Sequence, residues 1–344
     1  MPKKVVIGMS GGVDSSVAAY LLKKNGYEVI GVSMLMQENN NDGAEDARKV
    51  AEKLGIEFYT PEFYKEFDQA VIETFVDEYM HGRTPNPCCL CNRQIKWEAL
   101  MQWAKSLGAD YVATGHYARV DKLSNGRYAI CNSATATKDQ TYALCRLKQD
   151  QLEHTIMPLG DYEKEDIRRI AADIGIEVAN KPDSQDICFI PDNDHAAFIQ
   201  RRTGIDNFEG NFVDTEGNIL GKHKGIFRYT IGQRKGLGIA LGKHIFVNKI
   251  RTETNEVVVG DEDIIFSKEL MADDINYMGA ESLKEGERYL AKIRYAHKGE
   301  MCTVKACNDG ILSLEFDNPV RAITPGQSVV LYDGDYVMAS GIIM

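Results

Sequence analysis

Two parts of this chain hold residues that could do chemistry: a glycine-serine loop near the start, and cysteines at two distant places. The loop is Ser10-Gly11-Gly12-Val13-Asp14-Ser15-Ser16, directly after the apolar run Val5-Val6-Ile7-Gly8-Met9. A buried strand that ends in glycines and opens a helix turns its free N–H groups toward an anion, which is the physics of phosphate binding. The pattern G-x-x-x-x-G-K-[ST] is absent, so no lysine of the loop reaches a terminal phosphate as γ-phosphoryl transfer requires. The first cysteines lie in Asn86-Pro87-Cys88-Cys89-Leu90-Cys91-Asn92, ahead of a helix expected over 93–106. A thiol near a helix N-terminus has its thiolate favoured. That makes Cys91, with Arg93 and Lys96 one turn further on, the best-placed nucleophile. The second place is Cys188, between Ile187 and Phe189 and behind the polar run Asp183-Ser184-Gln185-Asp186, which favours an exposed loop over a buried strand.

The elements that must position these residues follow from periodicity. At 344 residues and 44% hydrophobic, the chain has room for two or three domains. Strands over 5–9, 28–36 and 56–60 alternate with helices over 14–25 and 44–54, which predicts a parallel sheet with its ligand at the carboxyl ends of the strands. Met34, near the end of the second strand, is placed either to pack an adenine ring or to fill the core. A helix is expected over 63–79, where Phe67, Val71, Phe75 and Tyr79 recur every fourth residue, and a strand over 110–114 before Gly115-His116. A hairpin turned at Asn125-Gly126 follows, then a helix over 161–175 capped by Asp161, with Lys164, Arg168 and Arg169 facing solvent. After residue 204 come short strand-like runs at 210–213, 225–229, 244–250 and 256–259, and then at 289–294, 301–306, 311–316, 328–332 and 336–343. They predict a small β-rich module and then a small closed barrel, with divisions 1–203, 204–274 and 275–344.

Charge and composition exclude some functions. No apolar stretch approaches the roughly 18 residues of a membrane span, and Met1-Pro2-Lys3-Lys4 runs into a strand without the apolar core of a signal peptide. A cytoplasmic protein with no membrane partner is expected, its eight cysteines kept as thiols. A net charge of −11 argues against indiscriminate nucleic-acid binding. Residues 217–252 are different: they carry Lys222, Lys224, Arg228, Arg234, Lys235, Lys243, Lys249 and Arg251 with no Asp or Glu, a local basic field.

The loop resembles the pyrophosphatase-type loop of the ATP-pyrophosphatase superfamily. Taken in order with residues 85–96, 183–190 and Tyr229-Thr230-Ile231-Gly232-Gln233-Arg234-Lys235-Gly236-Leu237-Gly238, it resembles the tRNA-specific 2-thiouridylase family along essentially the whole chain. The resemblance implies an α/β N-terminal domain with a parallel sheet, adenine nucleotide alpha hydrolase-like. A small β-rich central domain that contacts tRNA and a C-terminal β-barrel would follow. It implies ATP-dependent exchange of the 2-position oxygen of the wobble uridine for sulfur, with ATP and Mg2+, by a monomer fed by a sulfur-donor protein or cysteine desulfurase. By the same resemblance Gly8, Met9, Ser10, Gly11, Gly12, Val13, Asp14, Ser15, Met34 and Gly115 contact ATP, Asp14 helping to hold magnesium. Cys188 carries a persulfide and Cys91 is its catalytic partner, the two coming within disulfide-bonding range at least transiently. Asn86, Pro87, Cys88, His116, Lys138, Asp139, Gln140, Arg294, Tyr295 and Gln327 contact tRNA.

One departure bears on mechanism. Many members of that family have aspartate where this chain has Cys88, and the change creates Cys88-x-x-Cys91 with Cys188 nearby by family geometry. Three thiolates can hold a [4Fe-4S] cluster with one iron open to sulfide, which is the mechanistic alternative. Zinc is disfavoured because no second C-x-x-C completes four ligands. Cys131, Cys145, Cys302 and Cys307 read as structural, and Cys89 as a bystander. The rival activities are an amidating synthetase or lysidine-type enzyme, whose amine nucleophiles need no paired cysteines, and a non-catalytic tRNA-binding protein switched by nucleotide.

Overall fold

The computed structural model describes residues 2–38, 43–135, 139–176, 187–205, 208–239 and 242–344; Lys138 and the approach 181–186 to Cys188 lie outside them. Strand β1 (Lys4–Gly8) reads as an unbroken apolar run because Val5, Val6 and Ile7 are all fully buried, as a central parallel strand covered on both faces requires. Beside it run β2 (Glu28–Val32), β3 (Glu57–Tyr59) and β4 (Tyr111–Ala113). A hairpin of β5 (Arg119–Lys122) and β6 (Tyr128–Cys131) intervenes before β7 (Thr155–Ile156) completes the sheet. The order is β3-β2-β1-β4-β7, every pairing parallel. Strand order reverses between β1 and β4, so a crevice opens beyond their carboxyl ends. Helix α1 (Val13–Lys24) starts there, and helix α2 (Ala44–Leu54) is bounded by left-handed Gly43 and Gly55.

The second module contains β8 (Gly210–Val213), β9 (Ile219–His223), β10 (Phe246–Arg251) and β11 (Glu256–Gly260), in the order β10-β11-β8-β9. The expected strand over 225–229 is instead a single 3-10 turn, Ile226–Arg228. Gly225 has φ +125° and the Phe227 ring lies 2.6 Å from where a Cβ would stand, so the chain folds back on itself.

The third module contains β12 (Phe266–Tyr277), β13 (Arg288–Lys292), β14 (Glu300–Asn308), β15 (Ile311–Arg321), β16 (Ser328–Asp333) and β17 (Tyr336–Ile343). It closes into a six-strand barrel because β12 pairs with both β15 and β17. Strand β12 carries Ser267, Lys268, Glu269, Asp273 and Asp274, which hid it from hydrophobic periodicity. It starts ahead of the division expected at residue 275. The β5–β6 hairpin extends the barrel sheet through the Tyr336–Cys131 pairing. One core holds Phe67, Phe75, Trp97 and Tyr142 of the first module together with Val330, Tyr332 and Val337 of the barrel, so the barrel is packed directly on the sheet domain. Among the described residues no helix is long and apolar enough to cross a membrane.

Candidate active site

The loop after β1 sits at the mouth of the crevice. Gly11 has φ +74°, and a Cβ on it would come 2.4 Å from the carbonyl oxygen of Gly43, so only glycine fits. Ser15 and Ser16 turn their hydroxyls back to the Gly12 carbonyl at 3.2 and 2.8 Å, and Ser10 and Ser15 Oγ stand 3.4 Å apart. Gly115 presses on the loop from the end of β4: a Cβ there would meet Ser15 N at 2.7 Å. Met34 lies over Gly8, its Cε 3.2 Å from that glycine's would-be Cβ. Met9 and Val13 are buried and can face a ligand only through their backbone.

Asp14 is engaged by two residues from later in the chain. Lys164 Nζ bonds its two carboxylate oxygens at 2.9 and 2.8 Å, and the Tyr117 hydroxyl donates to Oδ1 at 2.7 Å. Lys164 is buried, not solvent-facing, and its helix, Lys164–Asp173, is capped at Glu163 rather than Asp161. The sequence did carry a signal. A lysine in the first turn opposes the helix dipole and needs a nearby carboxylate. A cation paired with Asp14 thus reaches the loop from another element.

The cysteines are arranged by a helix that begins earlier than expected. Asn86 caps it, its side-chain oxygen accepting from Cys88 N and Cys89 N at 3.1 and 3.4 Å, and Pro87 takes the first turn. The helix Pro87–Cys91 then widens into a π-helical stretch, Asn92–Ala99, and continues as Leu100–Ser106. Cys88 therefore lies in the exposed first turn, and Cys89 points inward, its thiol donating to the Tyr142 carbonyl at 3.5 Å. Cys91 is buried, which pushes its thiol up to about 12 instead of lowering it; the Lys96 ammonium opposes that push, while Cys188 and Cys88 add to it. Dipole activation of a free-standing Cys91 thiolate is therefore corrected: burial wins.

Cys188 is exposed in a turn closed by Ile190 N to the Ile187 carbonyl at 2.9 Å. The next residue anchors the turn, the Phe189 ring packing edge-on to Phe67 and Phe75 with centroids 5.7 and 5.2 Å apart. Partial burial raises the Cys188 thiol, Lys96 pulls it down, and Cys88 pushes it up. Lys96 and Cys88 thus act on the thiols of both Cys91 and Cys188, although the two cysteines lie far apart in sequence. His116 joins them: burial first, and Lys96 second, hold its imidazole neutral, and its Nδ1 lies 2.7 Å from Thr114 Oγ1. All eight cysteines are free thiols. Among the described residues no three His, Cys, Asp or Glu side chains are grouped as metal ligands.

Several residues expected to contact tRNA are held by protein. Gln140 Oε1 accepts from Tyr117 N at 2.9 Å, and Asp139 Oδ2 accepts from the Thr141 hydroxyl at 2.7 Å. Arg294 donates to the Arg321 carbonyl at 3.0 Å, and Gln327 Nε2 to the Thr84 carbonyl at 2.8 Å. Tyr295 is 53% exposed, with its hydroxyl donating to the Asp139 carbonyl. In the basic stretch, Lys243 pairs with Asp261 and Arg251 with Glu256, while Lys222, Lys224, Arg234, Lys235 and Lys249 are exposed and form no ion pair among the described residues.

A parallel sheet with a glycine-serine loop at its switch point, followed by two β modules, defines an ATP-using HUP-domain protein. Residues 3–192 match the family model described as tRNA methyl transferase HUP domain. Residues 196–261 match the tRNA methyl transferase PRC-barrel domain, and 267–343 the Aminomethyltransferase beta-barrel domain. The chain is 56% identical to the tRNA-specific 2-thiouridylase MnmA of Lachnoclostridium phytofermentans, over 99% of each. It is 52% identical to that of Clostridioides difficile, over 100% of this chain and 98% of the relative. The solved U34-tRNA thiolase NcsA from Methanococcus maripaludis with its [4Fe-4S] cluster is 20% identical, with a TM-score of 0.36, covering 59% of this chain and 65% of that one. Nothing about these cysteines follows from a likeness at that level. The chain belongs to the tRNA-specific 2-thiouridylase family, and so is an enzyme, a tRNA sulfurtransferase.

Proposed function

We propose that the chain replaces the 2-position oxygen of the wobble uridine of tRNA with sulfur, by adenylation and transfer from a Cys188 persulfide. The observation that carries the sulfur chemistry is the approach of Cys188, on its exposed turn, to the helix of Cys88 and Cys91. A urea-like carbonyl is a poor electrophile and its oxygen a poor leaving group. Attack of that oxygen on the α-phosphate of ATP forms one O–P bond, breaks another and releases pyrophosphate. The lysine-free loop suits this, since no γ-phosphate is transferred. A donor protein's persulfide passes its terminal sulfur to the Cys188 thiolate and keeps its own thiol. The terminal sulfur on Cys188 then attacks C2, and AMP leaves. Cys91 attacks the Cys188 sulfur, breaking the S–S bond: the electron pair goes to the sulfur on the base, and a Cys91–Cys188 disulfide remains for a cellular dithiol to reduce. Lys96 stabilises the thiolates in both steps.

Asp14 is the residue that would hold magnesium. It supplies one carboxylate already shared with Lys164, which suits an ion that takes its remaining ligands from phosphates and water. The persulfide route is preferred to the iron-sulfur alternative because no three side chains among the described residues are grouped as metal ligands. We further propose that the enzyme works as a monomer in the cytoplasm, consistent with eight free thiols and a cysteine site built from one chain. The exposure of Cys188 suits a macromolecular sulfur donor. We keep the working divisions 1–203, 204–274 and 275–344, the second of which ends within β12.

The test is thiolation by iron-stripped, anaerobically prepared protein given a persulfide donor, ATP and unmodified tRNA. Full activity is expected, with a Cys91–Cys188 disulfide after one turnover without reductant. Activity that returns only with iron overturns the persulfide route. RNA placement has its own expectation: replacing Lys222, Arg234 and Lys235 together with alanine weakens tRNA binding and flattens the slope of log affinity against log salt by about 2 to 3. An unchanged slope puts the RNA on another face.

A further inference from the structure

The cysteine helix carries a lysine with no acid to face. Lys96 is half-buried and forms no ion pair with a carboxylate among the described residues, although the chain has a net charge of −11. Its position follows from the helix itself. The stretch Asn92–Ala99 is π-helical, so its hydrogen bonds run from residue i to i+5 and side chains five apart share a face. Lys96 therefore stands above Cys91, from which α-helical winding would turn it away by about 140°. The ring of Trp97, the next residue, lies 5.7 Å from that of His116, so this turn of helix abuts the end of β4. One residue before His116, Gly115 presses on the nucleotide loop, where its Cβ would stand 2.7 Å from Ser15 N. Direct neighbours thus lead from Cys91 through Lys96 and His116 to the phosphate loop.

The surroundings leave this ammonium without a counter-charge in the resting protein. Burial pushes the Cys91 thiol up to about 12, raises the Cys188 thiol and keeps the His116 imidazole neutral, so all three neighbours are uncharged near neutral pH. A half-buried cation in such a place is stabilised by an incoming anion.

We propose that Lys96 is a catalytic residue that holds the α-phosphate of ATP, and then of the adenylated base, between the nucleotide loop and the cysteines. As the uridine oxygen attacks the α-phosphorus, one O–P bond forms, the bond to pyrophosphate breaks, and the ammonium offsets the charge gathering on the α-phosphate oxygens. As sulfur attacks C2, the C–O bond breaks, its electron pair leaves with AMP, and the same ammonium stabilises that charge. This substrate contact is additional to the effect of Lys96 on the thiolates. The inference rests on the adenylation reading for these two steps, but not for the phosphate contact, which is measured without tRNA.

The experiment uses the full chain with Lys96→Met. Calorimetric titration without tRNA is expected to show the affinity for AMP falling about tenfold or more while that for adenosine stays within about twofold, the mark of a lost charge-assisted contact to phosphate. The second readout is pyrophosphate release on mixing dithiol-treated enzyme, which carries no persulfide, with ATP, Mg2+ and unmodified tRNA. The first release per enzyme is expected to slow about a hundredfold, and Lys96→Arg to recover part of it. An unchanged affinity for AMP overturns the proposal, as does an adenosine affinity that falls as far as that for AMP, which a merely structural role would cause. A first release at the wild-type rate overturns it too and leaves Lys96 to the thiolates alone. If Lys96→Met does not fold, Lys96→Gln gives the same readouts. A wild-type protein that binds ATP and tRNA yet releases no pyrophosphate counts against the adenylation reading alone, and the comparison of AMP with adenosine then decides the role of Lys96.

Discussion

Replacing Cys188 with serine is expected to abolish thiolation, by at least about a thousandfold, while the first tRNA-dependent release of pyrophosphate, one per enzyme, proceeds near the wild-type rate. Serine preserves the size of the side chain, and the turn keeps its anchor because Phe189 stays packed on Phe67 and Phe75, so the loss reports sulfur chemistry and not unfolding. The hydroxyl cannot accept sulfane sulfur, and no persulfide forms. Cys91 then has no inner sulfur to attack, and the adenylated base waits for water. An amidating or lysidine-type enzyme would keep its activity in this variant, since its nucleophile is an amine. The pH profile separates the two cysteines further. Burial pushes the Cys91 thiol up to about 12, so in tRNA-free protein its alkylation is expected to climb about tenfold per pH unit between pH 7 and 9. A plateau near pH 8 in that measurement would mean that Lys96 dominates over burial.

Much of this arrangement is legible in the sequence because its causes are local. The run Val5-Val6-Ile7 and the bounding glycines of α2 mark strand and helix by patterns that tertiary structure reinforces, since both faces of β1 are covered and Gly43 and Gly55 are left-handed. The cysteine helix was legible too: Asn86-Pro87 is a cap followed by a first-turn proline, so reading it as a loop put Cys91 at an N-terminus it does not occupy. What stays hidden depends on distant partners. The charged face of β12 conceals a strand whose pairing comes from β15 and β17, and Gly225 forces a turn where apolar residues suggest a strand. The protein partners of Gln327 and Gln140, the Thr84 carbonyl and the Tyr117 N–H, are invisible in the sequence because only the fold brings them together. Lys164 is the most instructive case, because helical periodicity assigns it to solvent and only the carboxylate of Asp14 explains its burial.

Lys164→Met is expected to weaken ATP binding by about tenfold to a hundredfold, the effect of removing a charge-assisted hydrogen bond. It should also destabilise the protein by about 2–3 kcal/mol. A fully buried ion pair broken on one side costs about 3–5 kcal/mol, and the cost is lower here because the Asp14 side chain remains 26% exposed. Both effects have one origin. Lys164 is the cation that the Ser10–Ser16 loop lacks, delivered from the first turn of the Lys164–Asp173 helix, where the helix dipole alone would reject it. Without it the Asp14 carboxylate keeps only the Tyr117 hydroxyl among the two donors described above, and its charge faces an incoming triphosphate. Adding Asp14→Asn to Lys164→Met removes the stranded charge and is expected to recover most of the stability. Nucleotide affinity is not expected to return, because neither the cation nor the magnesium-holding carboxylate is present. Lys164→Arg keeps the charge and should recover part of both. Calorimetric titration with a non-hydrolysable ATP analogue and thermal unfolding decide the matter: if stability falls while the affinity for the analogue is unchanged, Lys164 braces the loop and does no more.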